Sequence, residues 1–486
     1  MIDLTTNEEQ IQKNAIRCKE QGILFPTFAE MREPETISED IKKKLKDVGL
    51  WDVNSLNLYR VNWQNEPKKF GGGFGDVNYM ELPSSLTGTR ARILALVGKW
   101  FPTGAHKVGA SYSCLAPRLV TGQFNPMKEK AVWPSTGNYC RGGAYISRLL
   151  ACDSIAILPE EMSQERFDWL KNIAGETIAT PGCESNVKEI FDKCRELTES
   201  RGDTIEIFNQ FDQFPNHLWH YEVTGHSMEK VLKKAMGEDS RFAGTCLSSG
   251  SSGTLGSGEY LKTLYPKAKL SVAEALQCPT LYNNGFGGHR IEGIGDKHVP
   301  WIHNLKNTDM VIAIDDEQTI RLLRLFNEPV GREYLKENGV PAELLDQLDL
   351  LGISSIGNLI GTIKMAKYYE LTEEDVLMTI FTDSFEMYES RLKELEEARG
   401  AYTREDAIRD YELINQVTFD HTMELSYQEQ KRIHNLKYYT WVEQQDKTYD
   451  EINAQWYDHD YWTNLYKVTP KLDELIIDFN RRIKAL

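Results

Sequence analysis

The sequence predicts an α/β protein built on open, largely parallel sheet, and two observations carry that prediction. Between about residue 86 and residue 390, short apolar runs alternate with helical stretches: ARILALVG, KAVWPS, SIAILP, TIEIFN, AGTCLSS, LSVAEAL, DMVIAID and VLMTIFT. Strands joined by helical crossovers pair in parallel, and the helices cover both sheet faces, so such strands are apolar almost throughout. Length agrees, because 486 residues with 41% hydrophobic content can bury a sizeable core. At about 150 residues per domain, two to four domains are expected.

Before this region, residues 1–80 are polar and partly helical, and form an N-terminal extension that ends at FGGGFGDVNY. Those glycines lack a preceding apolar strand and a following helix, so they read as a loop and not as a dinucleotide fingerprint. Residues 81–390 are expected to form the α/β core. After residue 391 the pattern changes to charged helices, SRLKELEEARG and EDAIRDYELINQ, and then to an aromatic stretch, YYTWVEQQDKTYDEINAQWYDHDYW. Residues 391–486 therefore read as a helical C-terminal extension. Its aromatic content between 430 and 466 is high for a solvated tail, so it is expected to pack over the α/β body or at a subunit interface.

Charge narrows the function. The net charge of −17, from 56 basic and 73 acidic side chains, repels phosphate backbones and anionic lipid. No nucleic acid and no membrane partner is expected. The N-terminus lacks a basic segment followed by an apolar core, and no apolar run is long enough to cross a bilayer. The eight cysteines are scattered without CxxC pairs, which fits reduced thiols and a cytoplasmic location.

Four strand-to-helix junctions concentrate small and polar residues. The first, TGAHKVGASY, puts Lys107 in a run of small residues. A lone lysine is nearly always solvated, but one at a junction beside an apolar sheet is desolvated. At pH 7 only roughly one free lysine in 2,500 is neutral, and burial or a nearby cation must favour the amine before it attacks a carbonyl. The second, LSSGSSGTLGSGEYLK, packs small residues where backbone N–H groups can approach an anion. A Gly/Ser linker has the same composition, but the flanking strand and helix oppose that reading. It is not a Walker loop, because no GK[ST] follows. The third, PSTGNYCRGGAY, offers hydroxyls, an amide and free backbone donors suited to a carboxylate. The fourth, LGISSIGNLIGTIKMAKYY, has two serines that serve either as helix caps or as ligand contacts.

In this order the stretches resemble those of the fold-type-II pyridoxal-phosphate enzymes, the superfamily of the tryptophan synthase β subunit, cysteine synthase, cystathionine β-synthase and threonine synthase. TGAHK is similar to the lysine motif of the first. STGNYCRGGAY and GSSGTLGS resemble the substrate-carboxylate and phosphate loops of cysteine synthase, and NQFDQFPNHLWHYEVTG, GGHRIEGIGDKHVP and GISSIGNLIGTIKMAK also have counterparts there. The resemblance covers roughly residues 80–390. It implies pyridoxal 5'-phosphate as cofactor and two open, mostly parallel sheets flanked by helices, with a smaller subdomain at about 120–225 inserted in the larger one.

Carried onto this sequence, the resemblance implies that Lys107 is the Schiff-base lysine and the later proton shuttle, with His106 near the cofactor phosphate. Gly250, Ser251, Ser252, Gly253 and Thr254 would bind that phosphate, Asn138 the phenolic oxygen of the ring, and Ser354 the pyridine nitrogen. Ser135, Thr136, Gly137, Tyr139 and Gln210 would surround the substrate carboxylate. A serine at the ring nitrogen does not stabilise a pyridinium, so the implied output is β-elimination or β-replacement on a small amino acid through an aminoacrylate.

Two other functions compete. One is the β subunit of an amino-keto acid thiolase of the 2-amino-4-oxopentanoate type, which would work with a small partner subunit. The other is a binding protein without catalysis, which the intact lysine, phosphate loop and Asn138 oppose. A homodimer or larger homo-oligomer is expected. The sequence departs from cysteine synthase at Asp296-Lys297-His298, where new polar groups either contact a substrate or cap a loop, and at FTDSFEMY, where Asp383 stands. His217, His220 and His459 read as packed or interface residues, and no metal site is expected.

Overall fold

The computed structural model describes residues 2–486 and contains two sheets. The larger has seven strands: β1 (Tyr79–Leu82), β2 (Arg92–Val97), β7 (Arg241–Ser248), β8 (Lys269–Ala275), β9 (Met310–Ile314), β10 (Asp375–Phe381) and β11 (Thr422–Glu424). Their order is β1-β2-β10-β7-β8-β9-β11. The five central strands run parallel, and β1 and β11 pair antiparallel at the two edges. The smaller sheet holds β3 (Lys130–Pro134), β4 (Ser154–Pro159), β5 (Glu176–Thr180) and β6 (Ile205–Ile207), all parallel, in the order β5-β4-β3-β6.

Each apolar run of the sequence is a strand because both of its faces are covered. In β2, Leu94 and Leu96 join one core cluster, which includes Phe101, Leu115 and Trp219. Their neighbours Ile93, Ala95 and Val97 join another, against Ile356, Leu359 and Ile363 of the helix Ile353–Tyr368. Side chains alternate across a strand, so a strand buried on both sides needs apolar residues at every position. In the smaller sheet, Val132, Ile155 and Ile157 pack on Ile190, Cys194 and Leu197 of the helix Val187–Arg201.

Both ends of the chain are built into this body. Near the N-terminus, Asn14 donates to the carbonyls of Leu119 and Phe124 at 2.9 and 3.1 Å. The Asp473 carboxylate, from the last helix (Thr469–Ala485), accepts from the first backbone N–H groups of the helix Phe28–Arg32 at 2.7 and 3.1 Å. The C-terminal extension is not wholly helical, since β11 lies within it and extends the larger sheet beside β9. Its aromatic segment packs inward: Trp441, Ile452, Trp462 and Leu465 are buried with Phe211, Phe214 and Trp301. Residues 70–75 form a loop, with Gly71 and Gly72 in left-handed backbone.

Candidate active site

Three of the four junctions meet at one cavity. It lies at the carboxyl ends of parallel strands, where helix N-termini and loops from neighbouring crossovers converge. Its wall is formed by His106, Lys107, Ser135, Thr136, Asn138, Tyr139, Gln210, Gly250, Ser251, Ser252, Gly253 and Thr254, together with Phe211, Ser248, Gly293, Asp296 and Thr382. The first twelve are candidates named from the sequence. The other two candidates stand outside the wall. Gly137 lies behind it over Arg166, and Ser354 sits in the first turn of its helix, beside Gly293.

Lys107 opens the helix Lys107–Val120 after a turn in which Thr103 takes left-handed backbone (φ 69°). Its Nζ lies 3.2 Å from Ser251 Oγ and 3.4 Å from Gln210 Oε1. Burial lowers its pKa to about 8, against the opposing pull of the Asp296 and Glu184 carboxylates. A helix N-terminus also disfavours a cation. His106, just before it, is fully buried and held neutral, first by burial and then by Lys107. Its Nε2 meets Thr382 Oγ1 at 3.3 Å, and its ring packs on Trp63 and His220.

The loop Gly250–Thr254 joins β7 to the helix Leu255–Leu264. Among the described residues no chain acceptor takes the backbone N–H groups of these five positions. Ser252 adopts φ 63°, which turns successive N–H groups to one side. Asn216 fixes the loop from below by donating to Ser251 Oγ at 3.1 Å and to the Gln210 carbonyl at 3.0 Å. A Cβ on Gly253 would stand 2.2 Å from Asn216 Oδ1, so nothing larger than glycine fits.

The loop 135–137 leads from β3 into the helix Asn138–Leu149. Ser135 Oγ accepts from the Gly137 N–H at 3.0 Å and from Gln210 Nε2 at 3.4 Å. Gly137 is required because a Cβ there would meet Arg166 Nε at 2.6 Å. Asn138 Nδ2 donates to Asp383 Oδ2 at 2.6 Å, and Asp383 also accepts from Tyr388 OH at 2.8 Å. Arg166 pairs with Glu292 and donates to Tyr388 OH at 2.9 Å. Asp383 thus stands behind Asn138 and orients its amide.

Sequence reasoning missed Glu184, which is buried, accepts a hydrogen bond from Thr136 Oγ1, and has its pKa raised by burial to about 7. Its segment PGCESN looks like an ordinary loop. Of the departures at 296–298, Asp296 lines the cavity, Lys297 is exposed and His298 is packed among Phe191, Phe211 and Trp441. His217 and His220 are core residues, bonded to Tyr466 OH at 3.1 Å and Thr224 Oγ1 at 2.9 Å. Among the described residues no cluster of three or more metal-ligating side chains occurs, and no helix is long and apolar enough to cross a membrane.

The cavity fits pyridoxal phosphate. Five unused N–H groups suit a phosphate, and a lysine with a lowered pKa stands within reach of the same loop. The Ser135 hydroxyl, which only accepts from the chain, and the second hydrogen of Asn138 Nδ2 remain as donors for an amino acid.

Parallel sheets with a buried lysine and an anion loop at their carboxyl ends define a cofactor-dependent enzyme of the fold-type-II class. Residues 88–331 match the family described as pyridoxal-phosphate dependent enzyme, and the chain belongs to that family. Among similar curated proteins, cystathionine beta-synthase of Saccharomyces cerevisiae is 26% identical over 316 residues, which cover 63% of this chain and 59% of that protein. Cysteine synthase of Staphylococcus aureus (strain Mu50) is 29% identical over 290 residues, covering 59% of this chain and 84% of the relative. Among solved structures, cysteine synthase from Entamoeba histolytica aligns with a TM-score of 0.56 at 20% identity, over 69% of this chain and 92% of the other.

Proposed function

We propose that this enzyme eliminates or replaces the Cβ substituent of a small amino acid. The observation that carries this reading is the position of Lys107, whose Nζ lies between the phosphate-type loop at Ser251 and Gln210 beside the Ser135 loop. The similarity to cysteine synthase and cystathionine beta-synthase supports it. When bound, the cofactor withdraws electrons from the substrate Cα.

The chain's own residues do the rest. Gly250–Thr254 hold the phosphate, and Ser135, Thr136 and Gln210 hold the substrate carboxylate. Asn138, oriented by Asp383, keeps the ring in register. Lys107 Nζ takes the proton from Cα as an amine and returns one as an ammonium, a duty for which a pKa near neutrality is suited. Hydroxyls, Thr382 in the wall and Ser354 behind Gly293, are the groups offered at the ends of β10 and of its neighbouring helix. A hydroxyl does not stabilise a pyridinium, which favours loss of a Cβ group over transamination.

The same reading places a catalytic core at 81–390, with an inserted subdomain at about 120–225, between N- and C-terminal extensions. It includes a homodimer in the cytoplasm, for which the exposed Tyr427, Tyr439, Tyr449 and Tyr457 supply an aromatic surface. Purified holoenzyme incubated with O-acetyl-L-serine and sulfide, or with L-cysteine alone, should form cysteine, or pyruvate, ammonia and sulfide. Acylation of alanine at Cα without turnover of any β-substituted amino acid would overturn the reading in favour of thiolysis. Light scattering on the eluted protein tests the dimer.

A further inference from the structure

Arg141, in the first turn of the helix Asn138–Leu149, is fully buried, yet none of the groups it bonds carries a charge. Its Nη1 donates to Asn138 Oδ1 at 3.3 Å and to Met387 Sδ at 2.8 Å. Nη2 donates to the Thr103 carbonyl at 3.1 Å, and Nε has no partner. The indole rings of Trp169 and Trp51, 4.9 and 5.8 Å from the guanidinium carbon, favour the cation. Burial lowers its pKa, but only to about 10, so it stays charged at neutral pH. The titratable groups that face it are Arg166, Asp383, Tyr388 and Cys140.

An apolar side chain of similar size would fill this space without the cost of desolvating a guanidinium. What Arg141 adds is a charge at one end of the Asn138 amide. Asp383 Oδ2 takes one hydrogen of Asn138 Nδ2 at 2.6 Å, which leaves the second for the cavity that Asn138 lines. An amide nitrogen that already donates to a carboxylate is a weaker donor to a second anion, and the carboxylate repels that anion. A cation on the oxygen of the same amide opposes both effects, because hydrogen bonds in a chain polarise one another. Arg141 Nη1 stands at that oxygen, and Nη2 holds the turn that leads into Lys107.

We propose that Arg141 is a positioning residue that acts through Asn138. With Asp383 it fixes which end of the amide faces the cavity, and its charge makes the remaining N–H a donor strong enough to keep the phenolic oxygen of pyridoxal phosphate ionised. This rests on the assignment of Asn138 to that oxygen. It goes beyond the elimination and replacement reading, because it concerns the resting holoenzyme before any substrate arrives. A charge-assisted donor is about twice as strong as a neutral one, which corresponds to a change of about one pH unit in the ionisation of the group it serves.

The test reads absorbance and not turnover. Holoenzyme is titrated towards acid, and the midpoint is taken where the yellow band of the ionised phenol gives way to the near-ultraviolet band of the neutral one. In Arg141→Met that midpoint should rise by about one pH unit. In Arg141→Lys, which keeps the charge, it should rise by less than half as much. If Arg141→Met takes up no cofactor, Arg141→Gln, a neutral donor to the Asn138 oxygen, is read in its place. Asn138→Ala should raise the midpoint as well, and adding Arg141→Met to it should change nothing further, since the effect passes through the amide. An unmoved midpoint in Arg141→Met beside a raised one in Asn138→Ala overturns the proposal alone. So do equal rises in the Met and Lys variants, which would make the role one of packing, and a full Arg141→Met shift on top of Asn138→Ala. An unmoved midpoint in Asn138→Ala itself strikes the assignment of Asn138 to the phenolic oxygen and takes the proposal with it.

Discussion

Asn138 and Asp383 lie 245 positions apart in the chain, yet the Asn138 amide donates to the Asp383 carboxylate across 2.6 Å. The first residue opens the helix after β3 of the smaller sheet, and the second follows β10 of the larger one. The bond therefore ties the two sheets together at the cavity wall. Burial raises the Asp383 pKa, while Arg166 and the bonds from Asn138 and Tyr388 oppose that rise. Asp383→Ala leaves the Asn138 amide held only by the 3.3 Å bond from Arg141 Nη1 to its Oδ1, and Tyr388 without its acceptor. A stability loss of about 1–3 kcal/mol is expected, together with weaker cofactor binding. Thermal melts of apo- and holoenzyme measure the two separately, and an unchanged cofactor affinity would refute the orienting role.

Lys107 is expected to be the residue that carries the cofactor. Borohydride treatment of the yellow holoenzyme should fix the cofactor on the peptide containing Lys107, as mass spectrometry reads directly. Lys107→Ala should yield no reducible adduct, and a persistent adduct in that variant would displace the assignment.

The glycine at position 253 tests the phosphate loop. Gly253→Asp sets an anion where the loop presents unused N–H groups and drives a Cβ to within 2.2 Å of Asn216 Oδ1. Cofactor occupancy after dialysis should fall by at least about a hundredfold in affinity, the loss of more than one charge-assisted hydrogen bond. Gly253→Ala, which adds the clash without the charge, should fall between the two.

The pH dependence has two signs worth separating. With its pKa at about 8, Lys107 is chiefly an ammonium below that pH and an amine above it. The rate at which apoenzyme takes up pyridoxal phosphate should therefore rise steeply up to about pH 8 and then level, instead of rising towards pH 10. Stopped-flow absorbance follows this. Stability runs differently through His298, whose pKa burial pushes down to about 3. The unfolded chain protonates this group near 6.5 and the folded chain does not, so its contribution is whole above pH 6.5 and is lost as pH falls towards 3. His298→Phe, which keeps the aromatic packing, should flatten the fall of Tm between pH 6.5 and 4.5.

The C-terminal extension should be inseparable from the fold. Trp441 is fully buried and donates through Nε1 to the Val299 carbonyl at 2.8 Å, and Lys437 donates to the carbonyls of Trp301 and His303 at 2.9 and 2.7 Å. These bonds hold the segment that follows Asp296. Trp441→Ala is expected to cost about 3–5 kcal/mol, and removal of residues 395–486 should give insoluble protein. A soluble, active truncation would show that the extension is dispensable.

The eight runs named from the sequence are the strands β2, β3, β4, β6, β7, β8, β9 and β10. They were legible because burial on both faces leaves continuous apolar sequence. The three strands that were missed, β1, β5 and β11, all lie at sheet edges and are only partly buried. An edge strand has fewer neighbours to demand apolar side chains, so it reads like its flanking loops. The strand-to-helix junctions were equally legible, since small residues at close backbone approach leave a local signature. That signature is what marked Lys107, the Gly250–Thr254 loop and the Ser135–Tyr139 loop.

By itself the sequence determined the class of fold, the lysine and the two anion-type loops, because each depends on residues adjacent in the chain. Tertiary structure alone decided which distant groups complete the wall. Asp296 and Thr382 join the wall from loops after Gly293 and after β10, while Glu184 and Asp383 stand behind it on Thr136 and Asn138. The raised pKa values of the three carboxyls arise from burial. The placement of Ser354 behind Gly293 instead of in the wall was decided in the same way. A carboxylate in a polar loop looks solvated in sequence, and only the packing of two sheets and an extension around it removes the water that would have made it ordinary.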